Sequence, residues 1–227
     1  RYLLEAARKG RHVAGFDLSP DMVRYAKARL RDRGLSRLAN IFTADMADFA
    51  DKLGPRPVTL AFNLINSIRH LDSDAALASH FQHIARALHP KGIYVVGISL
   101  SDYGREFPTE DVWHGKRKNV AVHQVVQYEP PAVRASGNRS GAARVERVIS
   151  QITITSGKGT AATVQDASAT YGLRCYDPEQ WYRAINRSPL HVLDTCDEQG
   201  TPLPPACPGY SLFILARRDQ NPQAARS

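Results

Sequence analysis

The chain is poor in cysteine and has no long apolar run. Cys175, Cys196 and Cys207 are the only three cysteines in 227 residues. They are odd in number and lack the short spacing of a zinc or redox motif, so free thiols in a reducing compartment are expected and a structural metal is not. No stretch of roughly 18 apolar residues occurs, which excludes a transmembrane helix and a membrane partner. The first residues, "RYLLEAARKG", do not follow the order of regions of a secretory signal. The expectation from these absences is a cytoplasmic protein. Internal repeats are also missing, and the one biased tract is the polar end, 220–227, expected to be disordered.

Charge is less decisive. Thirty Lys and Arg against 22 Asp and Glu give a formal net charge of +8, which admits nucleic acid or an acidic substrate as partner. The basic residues are spread over helix faces and the tail "ARRDQNPQAARS" rather than gathered in one stripe, so a solvated surface is favoured and nucleic acid is disfavoured.

What is present is an alternation of strand and helix signals over residues 1–101. "YLLEAARKG" reads as a helix ending at Gly10, and "HVAGF" as a short strand. "SPDMVRYAKARL" carries helix start signals, with Ser19 as N-cap, Pro20 at the first helical position and Asp21 in the first turn. "NIFTADM" and "PVTLAFNLI" are strand-like. "DSDAALASHFQHIARALHPKG" has Ser73 or Asp74 as cap, apolar residues at helical spacing and a Pro-Lys-Gly stop, and "GIYVVGISL" follows as a nearly all-apolar strand. Strands apolar on both faces that alternate with helices imply a parallel sheet covered on both sides.

From 102 to 172 the pattern changes to β-branched alternation in "NVAVHQVVQYEP", "ARVERVISQITITS" and "TAATVQDASATYGLRCY". An antiparallel insertion of about three strands is expected there. Residues 173–219 return to the core sheet, with "DPEQWYRAI" as a short helix capped by Asp177 and "HVLDTCDE" and "GYSLFILARRD" as strands.

Asp17 stands at the carboxyl end of the "HVAGF" strand, directly before a helix. Ligands bind at that rim of open α/β sheets, and an acid there can accept from both hydroxyls of a ribose; it can equally help cap the helix.

Four segments in order, "GFDLSPDMVRYAKARL", "TADMADF", "LINSIRHL" and "ARALHPKGIYVVGIS", resemble the class I S-adenosylmethionine-dependent methyltransferases, in their small-molecule branch. The resemblance implies a Rossmann-like α/β sheet, mostly parallel with an antiparallel last strand, and S-adenosyl-L-methionine as cofactor. It implies that Asp17 accepts from the ribose while Leu18 and Met22 pack near the adenosine, and that Asp45 accepts from the adenine amino group beside an apolar wall from Met46. Asn63 and Leu64 would flank the methionine part. A loop cap for Asp45 and a core position for Met46 are the plain alternatives.

Two departures accompany the resemblance. Members of the family carry a Gly-rich loop after a first strand, whereas this sequence opens in what reads as the helix that should follow. That leaves two expectations, a fragment or a chain with impaired cofactor binding. Thr59 also stands where the fourth strand of such enzymes usually begins with an acid.

Methyl transfer is an in-line displacement that asks mainly for alignment and exclusion of water. An amine or hydroxyl acceptor must also lose a proton, and His70, in "NSIRHL", is the candidate base or orienting group; a loop hydrogen bond is its alternative role. Asn66, Tyr103, Trp113, His123, Arg174 and Tyr176 are candidates to line the acceptor pocket, against sheet packing or a homodimer interface through the inserted sheet. His80 and His83 share a helix face without a third ligand, so metal binding is rejected. The expected activity is methylation of a small-molecule N or O acceptor. An RNA or protein methyltransferase and a degenerate binding or dimerisation module are the alternatives.

Overall fold

A computed structural model describes residues 2–131, 144–157, 162–204 and 207–218; the expected tail at 220–227 lies outside these. The elements run α1 (Tyr2–Arg8), β1 (Val13–Asp17), α2 (Pro20–Arg31), β2 (Ala39–Thr43), β3 (Val58–Asn63), α3 (Asp74–Ala87) and β4 (Leu88–Leu100). They continue through β5 (Thr109–Arg117), β6 (Val120–Glu129), β7 (Val145–Ser156), β8 (Thr163–Arg174), α4 (Pro178–Asn186), β9 (Leu190–Cys196) and β10 (Gly209–Arg217).

Three sheets result. β1 and β2 pair in parallel across the crossover helix α2. β3 and β4 pair in parallel across α3, and the sheet continues to β10 and β9 in the order β3-β4-β10-β9, with β10 antiparallel to both neighbours. The expected α/β core with an antiparallel last strand is therefore present, in two pieces rather than one continuous sheet. The pieces are joined by side chains. Phe16 of β1 stacks on Phe49, in the loop after β2, with ring centroids 4.6 Å apart. Phe49 belongs to the main core with Phe81 of α3, Trp181 of α4, Tyr94 and Val96 of β4 and Phe213 of β10. A smaller cluster, Ala7, Val23, Leu30 and Ile41, seals α1 and α2 onto the other face of β1 and β2.

Local chemistry sets the ends of these elements. Ser19 Oγ accepts from the Met22 N–H at the start of α2, and Gly34 leaves that helix at a φ of 67°, the left-handed backbone glycine adopts without a Cβ penalty. Ser73 caps α3 by accepting from the Ala76 N–H, and Asp177 forms a reciprocal capping box with Gln180 at α4.

The inserted sheet has four strands in the order β5-β6-β7-β8, all antiparallel, one more than the sequence suggests. The extra strand is β5, "TEDVWHGKR". Every residue of it is exposed, so it carries no buried face to impose an apolar alternation. Among the described residues no helix is long and apolar enough to cross a membrane, and the three cysteines are free thiols, Cys175 buried.

Candidate functional site

Asp17 ends β1 opposite Thr43 of β2, and Asp45 follows two residues later, so both carboxylates stand at the carboxyl rim of one parallel pair. Both are exposed. Asp17 Oδ1 accepts from the Ser19 N–H at 2.8 Å, and Asp45 Oδ1 accepts from the Ala47 N–H at 2.7 Å. Each acid thus shapes its own turn with one oxygen and presents the other. Leu18 and Met22 are 70% and 54% exposed beside Asp17, which is costly for apolar side chains unless something covers them.

The loop after β2 is pinned along the face of α3. Ser79 Oγ donates to the Ala47 carbonyl at 2.7 Å. His80 Nδ1 meets the Met46 carbonyl at 2.8 Å. His83 Nδ1 accepts from the N–H groups of Phe49 and Ala50 at 3.2 and 3.0 Å. The two histidines that the sequence leaves without a role are therefore loop anchors, and no group of three or more metal-ligating side chains assembles among the described residues. Burial holds the His80 imidazole down to about 4, against the opposing backbone bond from Met46.

At the end of β3, Asn63 Nδ2 reaches Met46 Sδ at 3.2 Å. The chain then turns through Ile65 and Asn66, both with left-handed backbone at φ 58° and 61°. Asn66 is committed to this turn: Oδ1 accepts from the Ser99 N–H at 2.6 Å and Nδ2 donates to Ser99 Oγ at 2.9 Å, which leaves it little for an acceptor. The Ile65 N–H donates to the Tyr210 hydroxyl at 3.2 Å, and Gly97 makes room, since a Cβ there would overlap that hydroxyl. Neither Ile65 nor Tyr210 stands out in the sequence; a β-branched residue in left-handed backbone is a property of the fold alone.

His70 closes the next turn and stacks on Tyr171 of β8, centroids 5.6 Å apart. Burial, and then the positive charge of Arg69, lower its pKa, so it is neutral at physiological pH and able to accept a proton. Tyr171 stands on the same face of the inserted sheet as Trp113, Tyr128 and Glu146. His123 pairs with His114 on the opposite face, the two rings stacked 4.6 Å apart. Successive strand residues alternate between faces, so Trp113 and His123 do not line one pocket. A cavity of about 390 Å³ on the His123 face is lined by His114, Lys116, His123 and Thr153, away from the Asp17–Asp45 rim.

The remaining candidates have structural partners. Tyr103 donates to Gln180 Oε1 at 3.1 Å, and burial raises its phenol pKa. Arg174 clasps Asp74 and the Asp72 carbonyl and lies over the Tyr176 ring. Tyr176 is 2% exposed, within the main core.

A family profile described as a methyltransferase domain matches residues 1–130. The chain belongs to this family. The fold agrees: a solved S-adenosylmethionine-dependent methyltransferase from Clostridium acetobutylicum superposes with a TM-score of 0.65 at 14% identity, over 91% of this chain and 75% of that one. DesVI from Streptomyces venezuelae gives 0.64 at 23% identity, over 90% and 73%. The sugar N-methyltransferase KedS8 from Streptoalloteichus gives 0.63 at 22% identity, over 90% and 70%. No curated protein matches the chain in sequence.

The methyltransferase is S-adenosyl-L-methionine-dependent. The Asp17–Asp45 rim offers two carboxylates, one at the end of β1 and one two residues past β2, with exposed apolar side chains beside Asp17. The Met46 N–H is uncommitted among the described residues.

Proposed function

We propose that this methyltransferase acts on a small-molecule amine or hydroxyl, with the nucleoside of the cofactor held between Asp17 and Asp45. The observation that carries the reading is that Asp17 at the end of β1 and Asp45 just past its parallel partner β2 stand at the same rim, each with a free carboxylate oxygen. Asp17 accepts from the ribose hydroxyls and Asp45 from the adenine amino group. Leu18 and Met22 cover the adenosine, Met46 supplies an apolar wall and a backbone donor, and Asn63 and Leu64 flank the methionine end. Pairing the polar edge of a buried base and covering its faces is what such a site needs.

Bound there, S-adenosyl-L-methionine supplies an electrophilic methyl group on a sulfonium. The task of the chain is to hold the acceptor's lone pair in line with that methyl and to keep water out. His70, neutral and stacked under Tyr171, accepts the proton that an amine or hydroxyl must lose. An amine is favoured over a hydroxyl by the likeness to KedS8, described as a sugar N-methyltransferase, and the inserted sheet above His70 selects the acceptor.

Calorimetry with S-adenosylhomocysteine tests the cofactor site: binding by the wild type that weakens about tenfold or more in Asp17→Ala and in Asp45→Ala is expected, as for a lost charge-assisted hydrogen bond. Absence of binding by the wild type, or indifference to both substitutions, overturns the reading. Transfer of labelled methyl to a panel of amino sugars and their hydroxyl counterparts then separates N from O acceptors.

A further inference from the structure

His80 sits at the centre of a buried hydrogen-bond circuit that runs from Tyr94 through Met46 to Asn63. It is 2% exposed, with Nδ1 on the Met46 carbonyl at 2.8 Å and Nε2 on the Tyr94 hydroxyl at 2.9 Å. A carbonyl only accepts, so Nδ1 carries the proton; a neutral ring then has Nε2 as acceptor, and the Tyr94 hydroxyl must donate to it. Tyr94 has given away its only proton, and the nearby Asn63 amide opposes the burial that raises its phenol pKa. The Asn63 amide itself donates to Met46 Sδ at 3.2 Å, which ties it to the residue whose carbonyl His80 holds. No other neutral tautomer satisfies both bonds of the ring.

The circuit has a direction. In a trans peptide the C=O and N–H point opposite ways. Holding the Met46 carbonyl against His80 therefore aims the Ala47 N–H the other way, where it bonds Asp45 Oδ1 at 2.7 Å. The preceding peptide is fixed likewise: the Asp45 carbonyl accepts from the Asp48 N–H at 3.1 Å, which turns the Met46 N–H outward. One buried imidazole thus fixes the peptide that orients the Asp45 carboxylate and, through Met46 Sδ, meets the Asn63 amide at the end of the neighbouring sheet piece. β2 and β3 do not pair with each other; this circuit is a polar link between the two rims.

We propose that His80 is a positioning residue for the cofactor site, coupling Asp45 on one sheet piece to Asn63 on the other through its Nδ1–H tautomer. The proposal rests on the assignment of Asp45 and Asn63 to the cofactor made above.

Two substitutions separate positioning from bulk stability. His80→Asn can place its amide N–H near the Nδ1 position and keep the bond to Met46. His80→Gln can reach toward Tyr94 but leaves the Met46 carbonyl without a donor. Both remove the ring from a packed core and lower the melting temperature.

If His80 positions the loop, His80→Gln weakens S-adenosylhomocysteine binding about tenfold, the scale of one buried polar group left unpaired, while His80→Asn stays within about threefold of the wild type. Equal affinity losses in the two variants, with the wild type binding normally, overturn the proposal and leave the cofactor assignment standing. A wild type that does not bind overturns the cofactor assignment instead. Long-range proton–nitrogen NMR of the full chain gives a readout independent of the cofactor: His80 is expected as the Nδ1–H tautomer at pH 7, and an Nε2–H tautomer refutes the circuit.

Discussion

The Arg69 guanidinium donates to Glu146 Oε2 at 2.9 Å across the seam between the core turn before α3 and strand β7 of the inserted sheet. Arg69 is 6% exposed, and the same side chain also donates to the Arg174 carbonyl and to Cys175 Sγ. It is a rivet of the inserted sheet, immediately before His70 in the chain. Burial pushes the Glu146 carboxyl up, and the Arg69 charge opposes that rise without cancelling it.

Breaking this pair is predicted to cost more than replacing it. Glu146→Ala strands a buried cation and should destabilise the chain by about 3 kcal/mol. Glu146→Gln keeps an acceptor for Arg69 and should cost about 1 kcal/mol. Urea unfolding of the two variants checks the order; a Gln variant as unstable as the Ala variant refutes it.

The pH dependence of stability should carry the signature of His80. Its pKa is about 4 in the folded chain against the ordinary 6.5, so between those values the unfolded chain binds a proton that the folded chain refuses. Stability is complete above pH 6.5 and falls as pH drops toward 4, by about 3 kcal/mol for this group alone. Asp74 adds a loss only at lower pH. Burial raises its carboxyl, but the bonds from Arg144 and Arg174 outweigh that and hold it below 3.8. Urea midpoints at pH 7 and 4.5 should therefore differ in the wild type and differ less in His80→Asn.

Ile65 is predicted to be a strained position. It is 73% exposed and holds a left-handed φ of 58°, which a β-branched side chain adopts at a cost of about 1–2 kcal/mol. Ile65→Gly relieves the strain and keeps the N–H that Tyr210 receives, so it should raise stability by about 1 kcal/mol net of the added chain entropy. Thermal unfolding checks the sign. A lower melting temperature would mean that the exposed side chain has packing value.

Much of the fold was legible because its elements announce themselves locally. Ser19-Pro20-Asp21 starts α2, Ser73 starts α3, and the all-apolar "IYVVGISL" could hardly be anything but an interior strand. The place of Asp17 at a strand end was legible from the residues, whereas the part given to Asp45 came from the family resemblance. What stayed hidden depends on partners distant in sequence. β5 has no buried face, so its nine residues look like loop. Asn66 resembles an acceptor-binding amide until Ser99 occupies both its ends. His80 and His83 read as a bare pair on one helix face, and only the loop carbonyl and amides folded against α3 give them opposite tautomers. Arg69 looked like one more basic residue in a chain of net charge +8, yet it is among the least exposed charges in the molecule.

Face parity in the inserted sheet yields a last prediction, on acceptor selection. Trp113 pairs across to Gln124, and His123 to His114, so the two aromatic candidates project from opposite sides. The Trp113 side is the one that carries Glu146 onto Arg69 and Tyr171 onto His70; it looks toward the proposed base. A 59% exposed tryptophan on that side has apolar area to contribute to an acceptor but little role in holding the sheet. Trp113→Ala should therefore raise KM for a methyl-accepting amino sugar several-fold while leaving the affinity for S-adenosylhomocysteine unchanged, on the scale of about 1 kcal/mol for a partly buried aromatic contact. His123→Ala, on the far side, should change neither. The same KM shift in both variants would mean that the sheet acts through its stability rather than through the face it turns to His70, and the acceptor would then have to bind elsewhere.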